Sequence, residues 1–218
     1  MDSSLDLHFF YLEDYDKTWE RLPKYTQQFF REMNKRYGRY PYPQFSAIQG
    51  GDGGMEYPMC TMLKGTGKIS GLVGVTVHEG AHNWYYGILG SNELRFPWMD
   101  EGFTSFAESE VLNAISPRPV ANPHANAYAA HAFLISKTEQ NEALITMADR
   151  FERNRTYSIN AYSRGEVFLA QLRYVIGKEA FDRGMKRFFC KGAPDPVVLA
   201  GRLSVGGPGE GHRGGGGG

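Results

Sequence analysis

Cysteine is nearly missing from this chain. Its two cysteines, Cys60 and Cys190 in 218 residues, are too few for a disulfide framework and are not spaced as a metal-binding pair. Excess charge of either sign is missing too: 24 Lys and Arg balance 24 Asp and Glu, and the basic residues are dispersed. Nothing therefore indicates a nucleic acid or an anionic membrane surface as partner. No apolar run approaches the roughly 20 residues of a membrane span, and no N-terminal signal peptide is recognisable, which leaves the compartment open. The stretch Gly50-Gly51-Asp52-Gly53-Gly54 lacks both the Lys-Ser or Lys-Thr pair and the G-x-G-x-x-G spacing of a phosphate loop. Its glycines suit close approach of backbone to a substrate instead.

What is present centres on His78, Glu79 and His82, an H-E-x-x-H run with largely apolar flanks from Gly71 to Val77 and from Trp84 to Leu89. On an α-helix residues i and i+4 share a face, so the two imidazoles can reach one ion while Glu79, beside that face, is placed to act on a water. The flanks predict a helix buried nearly all round, in which two histidines and a carboxylate need partners. A zinc ion with an open position for water meets that need but requires a third protein ligand. Tyr85 and Ile88 stand where an H-E-x-x-H-x-x-G-x-x-H enzyme has Gly and His, which excludes that class. Glu101, eighteen intervening residues after His82, is the candidate: Gly90-Ser91-Asn92 break the first helix, and Asp100 to Leu112 reads as a second one returning Glu101 to the histidines. Glu108, two turns on, is placed to accept the other ring N–H of a ligand histidine.

The rest of the pattern predicts an α+β fold, mostly helical, with a small N-terminal sheet. Leu7 to Leu12 reads as a strand, and Trp19, Leu22, Phe29, Met33 and Tyr37 mark one amphipathic helix. Gln44 to Gln49 and Met55 to Met62 read as short strands joined by the glycine-rich loop. Helical segments are expected at Asn126 to Lys137, Asn160 to Val175 and Lys178 to Phe189. The chain is long enough for one domain with a sizeable core, over residues 1–204. Residues 205–218, mostly glycine, are expected to be a disordered tail. His124 and His131, seven apart, could share a helix face, but no carboxylate pattern beside them marks a second metal site.

The His-Glu-Gly-Ala-His run with Glu101 inside Asp100-Glu101-Gly102-Phe103 resembles the gluzincin family of aminopeptidase N and leukotriene hydrolase. Gly53-Gly54-Met55-Glu56-Tyr57 is similar to that family's G-x-M-E-N signature, and Tyr162-Ser163-Arg164-Gly165 to its Y-x-K-G segment. Tyr57 and Asp100 replace the usual Asn, Arg164 the usual Lys, and His82-Asn83-Trp84-Tyr85 departs from the usual H-Q-W-F. The resemblance implies a thermolysin-like zinc peptidase catalytic domain, cut short of flanking domains that relatives carry. It further implies one Zn2+ per chain on His78, His82 and Glu101, Glu79 as general base, and Tyr162 as oxyanion donor. Gly53, Gly54, Met55 and Glu56 would bind a peptide substrate, with Glu56 receiving its free N-terminus. The activity implied is that of a zinc aminopeptidase. A thermolysin-like endopeptidase and a catalytically weak peptide-binding fragment are the alternatives.

Overall fold

The computed structural model describes residues 5–51, 53–137 and 141–192; the expected tail at 205–218 lies outside them. The chain opens with β1 (Asp6–Phe10), followed by α1 (Asp16–Trp19) and α2 (Leu22–Arg36). The single helix expected here is divided because Pro23, which offers no N–H and tolerates only the first turn of a helix, forces a new start after Arg21. α2 then buries Leu22, Phe29, Phe30 and Met33 and ends on Lys35 and Arg36, cations suited to a helix C-terminus.

The sheet follows: β2 (Gln44–Gln49), β3 (Gly54–Tyr57) and β4 (Cys60–Leu63), in the spatial order β1-β2-β4-β3. β1 and β4 run parallel to β2, and β3 is antiparallel to β4 at the edge. The expected strand from Met55 to Met62 is thus a hairpin, reversed at Pro58 and Met59, since proline cannot donate to a ladder. Gln44–Gln49 forms as expected.

From here the chain is mostly helical. α3 (Ile69–His82) continues as a π-helical turn, Asn83–Ile88, that stops at Gly90, whose φ is +62°. A second π turn, Trp98–Gly102, leads into α4 (Phe103–Ile115), so the expected helix over Asp100 to Leu112 begins with a wider coil. α5 (Ala125–Ile135) and α6 (Asn154–Ser158) come next. A third π turn, Ile159–Arg164, opens α7 (Gly165–Ile176), and α8 (Lys178–Gly192) packs on α7.

The core lies between the sheet, α2 and α3. Trp84 is its centre: fully buried, it stands against Phe29, Phe30 and Tyr40, and its indole N–H donates to Gly38 O at 2.8 Å. Burying so large a ring with its one polar atom satisfied anchors the residue two positions after His82. On the other side α3 packs on α4, and these two faces fix the helix that carries the histidines.

Candidate active site

His78 and His82 stand one turn apart on α3, and their Nε2 atoms are 3.3 Å from each other. The π turn before α4 brings Glu101 to them: its Oε2 lies 3.2 Å from His78 Nε2 and 3.3 Å from His82 Nε2. The opposite ring nitrogens are also engaged. His78 Nδ1 lies 2.9 Å from Glu108 Oε2, and His82 Nδ1 lies 2.7 Å from Asp100 Oδ1. Because an ionised carboxylate only accepts, each Nδ1 must donate, and both Nε2 atoms are directed at one point. Thr104 Oγ1, 3.2 Å from His82 Nδ1, adds a second contact at that nitrogen.

Two imidazole nitrogens and a carboxylate oxygen within 4.8 Å of one another are the donor set of a zinc site that keeps a fourth position open. The residues fit the ion by chemistry, number and convergence, and by the carboxylates behind both rings. Glu79 points to the same cavity from the neighbouring face of α3, 7% exposed. Burial pushes its carboxyl up to about 7, against the lowering effect of His78 and His82. Burial also raises Glu101, but hydrogen bonds from His78 and His82 outweigh it and hold that carboxyl at about 2.

Tyr162, in the third π turn, closes the other wall. Its hydroxyl donates to Glu101 Oε1 at 2.6 Å, and its ring stacks on His78 with centroids 5.7 Å apart. Burial, followed by the Glu101 charge, drives its pKa upward, so the hydroxyl keeps its proton at neutral pH. Edge strand β3 forms the rim. Gly54, Met55 and Glu56 line the cavity of about 400 Å3, whereas Gly53 is not among the residues that do. Glu56 offers a carboxylate oxygen within 4.8 Å of ligand atoms on Glu79 and His82.

Sequence reasoning missed Asp100 and Thr104 as partners of His82, and Tyr157, Glu93 and Leu94 at the cavity. Tyr157, in α6, and Tyr162, in the π turn that follows it, both line the cavity. Nothing in the residue types marks the π turn itself.

A larger cavity, about 620 Å3, lies beside Glu110, His124, Tyr128 and Arg173, and among the described residues it brings together no such set. His124 is held between Glu166 Oε1 (2.8 Å, from Nδ1) and Glu110 Oε1 (3.2 Å, from Nε2), and Glu110 also accepts from Arg173 at 2.7 Å. Carboxylates do flank His124, contrary to expectation. With both ring nitrogens engaged, it has none to share with His131.

An H-E-x-x-H helix packed against a glutamate-bearing helix, beside a small sheet with one antiparallel edge, is the fold of a zinc metallopeptidase catalytic domain. The chain belongs to peptidase family M1, whose domain model matches residues 24–195. It is 25% identical over 183 residues to leucine aminopeptidase 2 of Ajellomyces capsulatus, covering 79% of this chain and 29% of that protein. It is 24% identical over 190 residues to a leukotriene A-4 hydrolase homolog of Botryotinia fuckeliana, covering 78% and 30%. Among solved structures, native yeast LTA4 hydrolase superposes with a TM-score of 0.67 at 20% identity, covering 93% of this chain and 37% of that one. The M1 zinc metallopeptidase of Deinococcus radiodurans gives 0.61 at 20% identity, covering 83% and 40%. The chain thus spans about a third of the length of the relatives it matches.

Proposed function

We propose that this chain is the catalytic domain of a zinc-dependent aminopeptidase, acting on peptides with a free N-terminus. One observation carries the reading: the His78, His82 and Glu101 donors share a cavity with the Glu56 carboxylate, within 4.8 Å of Glu79 and His82 ligand atoms. A carboxylate that close to the reacting centre has little use in cutting mid-chain peptide. It is well placed to receive an ammonium group.

His78, His82 and Glu101 would hold one zinc ion per chain, which would supply Lewis acidity toward the scissile carbonyl and lower the pKa of the attacking water. Glu79 takes the proton of that water and returns it to the leaving amine; its burial favours the protonated carboxyl that the second task needs. Tyr162 keeps its proton and donates to the carbonyl oxygen as charge develops there. Glu108 and Asp100 hold the two imidazoles in the orientation and tautomer that ligation requires. Glu56 binds the substrate amine, and Gly54 allows β3 to lie against Glu79.

The names of relatives agree with this reading, several being leucine aminopeptidases, and one M1 structure from Deinococcus radiodurans is described as bound to a Tyr-Ser-Ala substrate. The experiment that tests it is zinc stoichiometry measured together with turnover of an unblocked aminoacyl amide. One zinc per chain with turnover is the expected result. The chain's coverage of only 29% of the first relative favours one second reading, a peptide-binding fragment with little activity. One zinc per chain without turnover would support it. Equal cleavage of N-blocked and free peptides would instead indicate an endopeptidase.

A further inference from the structure

β3 is an edge strand, paired on one side only, so the ladder alone does not fix its distance from α3. Two contacts with α3 and its continuation do. At the start of β3, a Cβ on Gly54 would stand 2.3 Å from Glu79 Oε1 and 2.7 Å from Val75 Cγ2, so strand and helix touch without room for a side chain. Past its end, the chain reverses through Pro58 and Met59. Met59 has φ +58°, the one non-glycine residue among those described with positive φ. That conformation is strained for a side-chain-bearing residue and persists only where neighbours enforce it.

The enforcing contact comes from Asn83, the residue after His82. Its Oδ1 accepts the Met59 N–H at 2.8 Å, and its Nδ2 donates to Gly80 O at 3.1 Å. The side chain is buried, with residue exposure of 3%. One short amide thus connects the last turn of the histidine helix to the strained turn three residues beyond Glu56. The β3–β4 register, Glu56 opposite Thr61 and Tyr57 opposite Cys60, transmits that hold to Glu56.

We infer that Asn83 is a positioning residue for substrate recognition: by clamping Met59 in its positive-φ turn it sets the distance of Glu56 from the metal-binding histidines. The inference rests on the reading that Glu56 receives the substrate amine. Asn83 touches no reacting atom, so its loss should weaken amine binding and leave the chemistry intact.

The test uses the zinc-loaded full chain and variants Asn83→Ala, Met59→Gly, Asn83→Ala with Met59→Gly, and Glu56→Ala. Measurements are KM and kcat for leucine p-nitroanilide and hydrogen exchange of the residue 59 amide. Asn83→Ala is expected to expose that amide to exchange and to raise KM about tenfold, the scale of one lost buried hydrogen bond, with kcat and zinc content unchanged. Adding Met59→Gly should restore most of KM, because glycine adopts positive φ without enforcement. A KM rise in Glu56→Ala with none in Asn83→Ala overturns the inference alone. An unchanged KM in Glu56→Ala overturns the reading beneath it, and the inference with it. If Asn83→Ala fails to fold, Asn83→Gln, with the same groups one methylene farther out, should raise KM at constant kcat, and a wild-type KM there overturns the inference.

Discussion

Gly102 and Gly165 meet backbone to backbone: a Cβ built on either would stand 2.7 Å from the Cα of the other. Gly102 follows Glu101, and Gly165 follows the turn that carries Tyr162, so this crossing brings the two side chains together. No flexible side chain can yield there. Gly102→Ala or Gly165→Ala is expected to force the two segments apart and to cost about 1–3 kcal/mol, the usual penalty of overpacking. Urea unfolding measures the loss, and activity should fall with it because the Tyr162–Glu101 distance changes.

Glu79→Gln removes the proposed proton acceptor while keeping shape. We expect kcat to fall on the order of a hundredfold to ten-thousandfold, with zinc content and melting temperature near those of the wild type. Retained turnover would rule out Glu79 as the base.

Asp100 holds His82 from behind at 2.7 Å, the shortest of the contacts to the histidine rings. Asp100→Ala should weaken zinc binding by about 10- to 100-fold, the range found for such supporting groups. Asp100→Asn, which retains an oxygen acceptor, should lose less. Competition against a chromogenic chelator gives the two affinities.

The network around Glu110 makes stability depend on pH. Burial pushes the Glu110 carboxyl up from its ordinary 4.5, but bonds from His124 and Arg173 outweigh this and hold it at about 2. Its contribution is therefore fully present above pH 4.5 and is lost as pH falls toward 2. Burial lowers His124, and the bonds to Glu110 and Glu166 more than reverse that, leaving it above 6.5. That contribution is complete below pH 6.5 and is lost as pH rises through the folded value. Stability from this network is thus greatest between pH 4.5 and 6.5. Glu110→Gln should be destabilised most in that window, and the difference from wild type should shrink toward pH 2, as followed by thermal unfolding.

Much of this architecture was legible in the residues. Spacing alone put His78 and His82 on one helix face and pointed to Glu101, and Glu108 is found at the ring nitrogen where it was sought. The strand Gln44–Gln49 and the helices at Ala125–Ile135 and Lys178–Gly192 follow from alternation and amphipathic period. What escaped depends on backbone detail that side-chain periodicity does not encode. The π turns at Trp98–Gly102 and Ile159–Arg164 carry Asp100 and Tyr162 into the site, and a widened coil has no residue signature. Pro58 interrupts the alternation from Met55 to Met62, and its missing N–H is the reason β3 and β4 are separate. Gly102 and Gly165 read as ordinary motif glycines until the packing showed that each occupies the other's side-chain space.

His78, His82 and Glu101 are proposed to hold a zinc ion whose chemistry serves substrates with a free amine. The most direct measurement compares leucine p-nitroanilide with its N-acetyl derivative, on zinc-loaded chain and on chain stripped by chelator. Hydrolysis of the free anilide only is expected, lost on stripping and regained with one equivalent of zinc. Equal hydrolysis of both anilides, or turnover that persists without the metal, would contradict it.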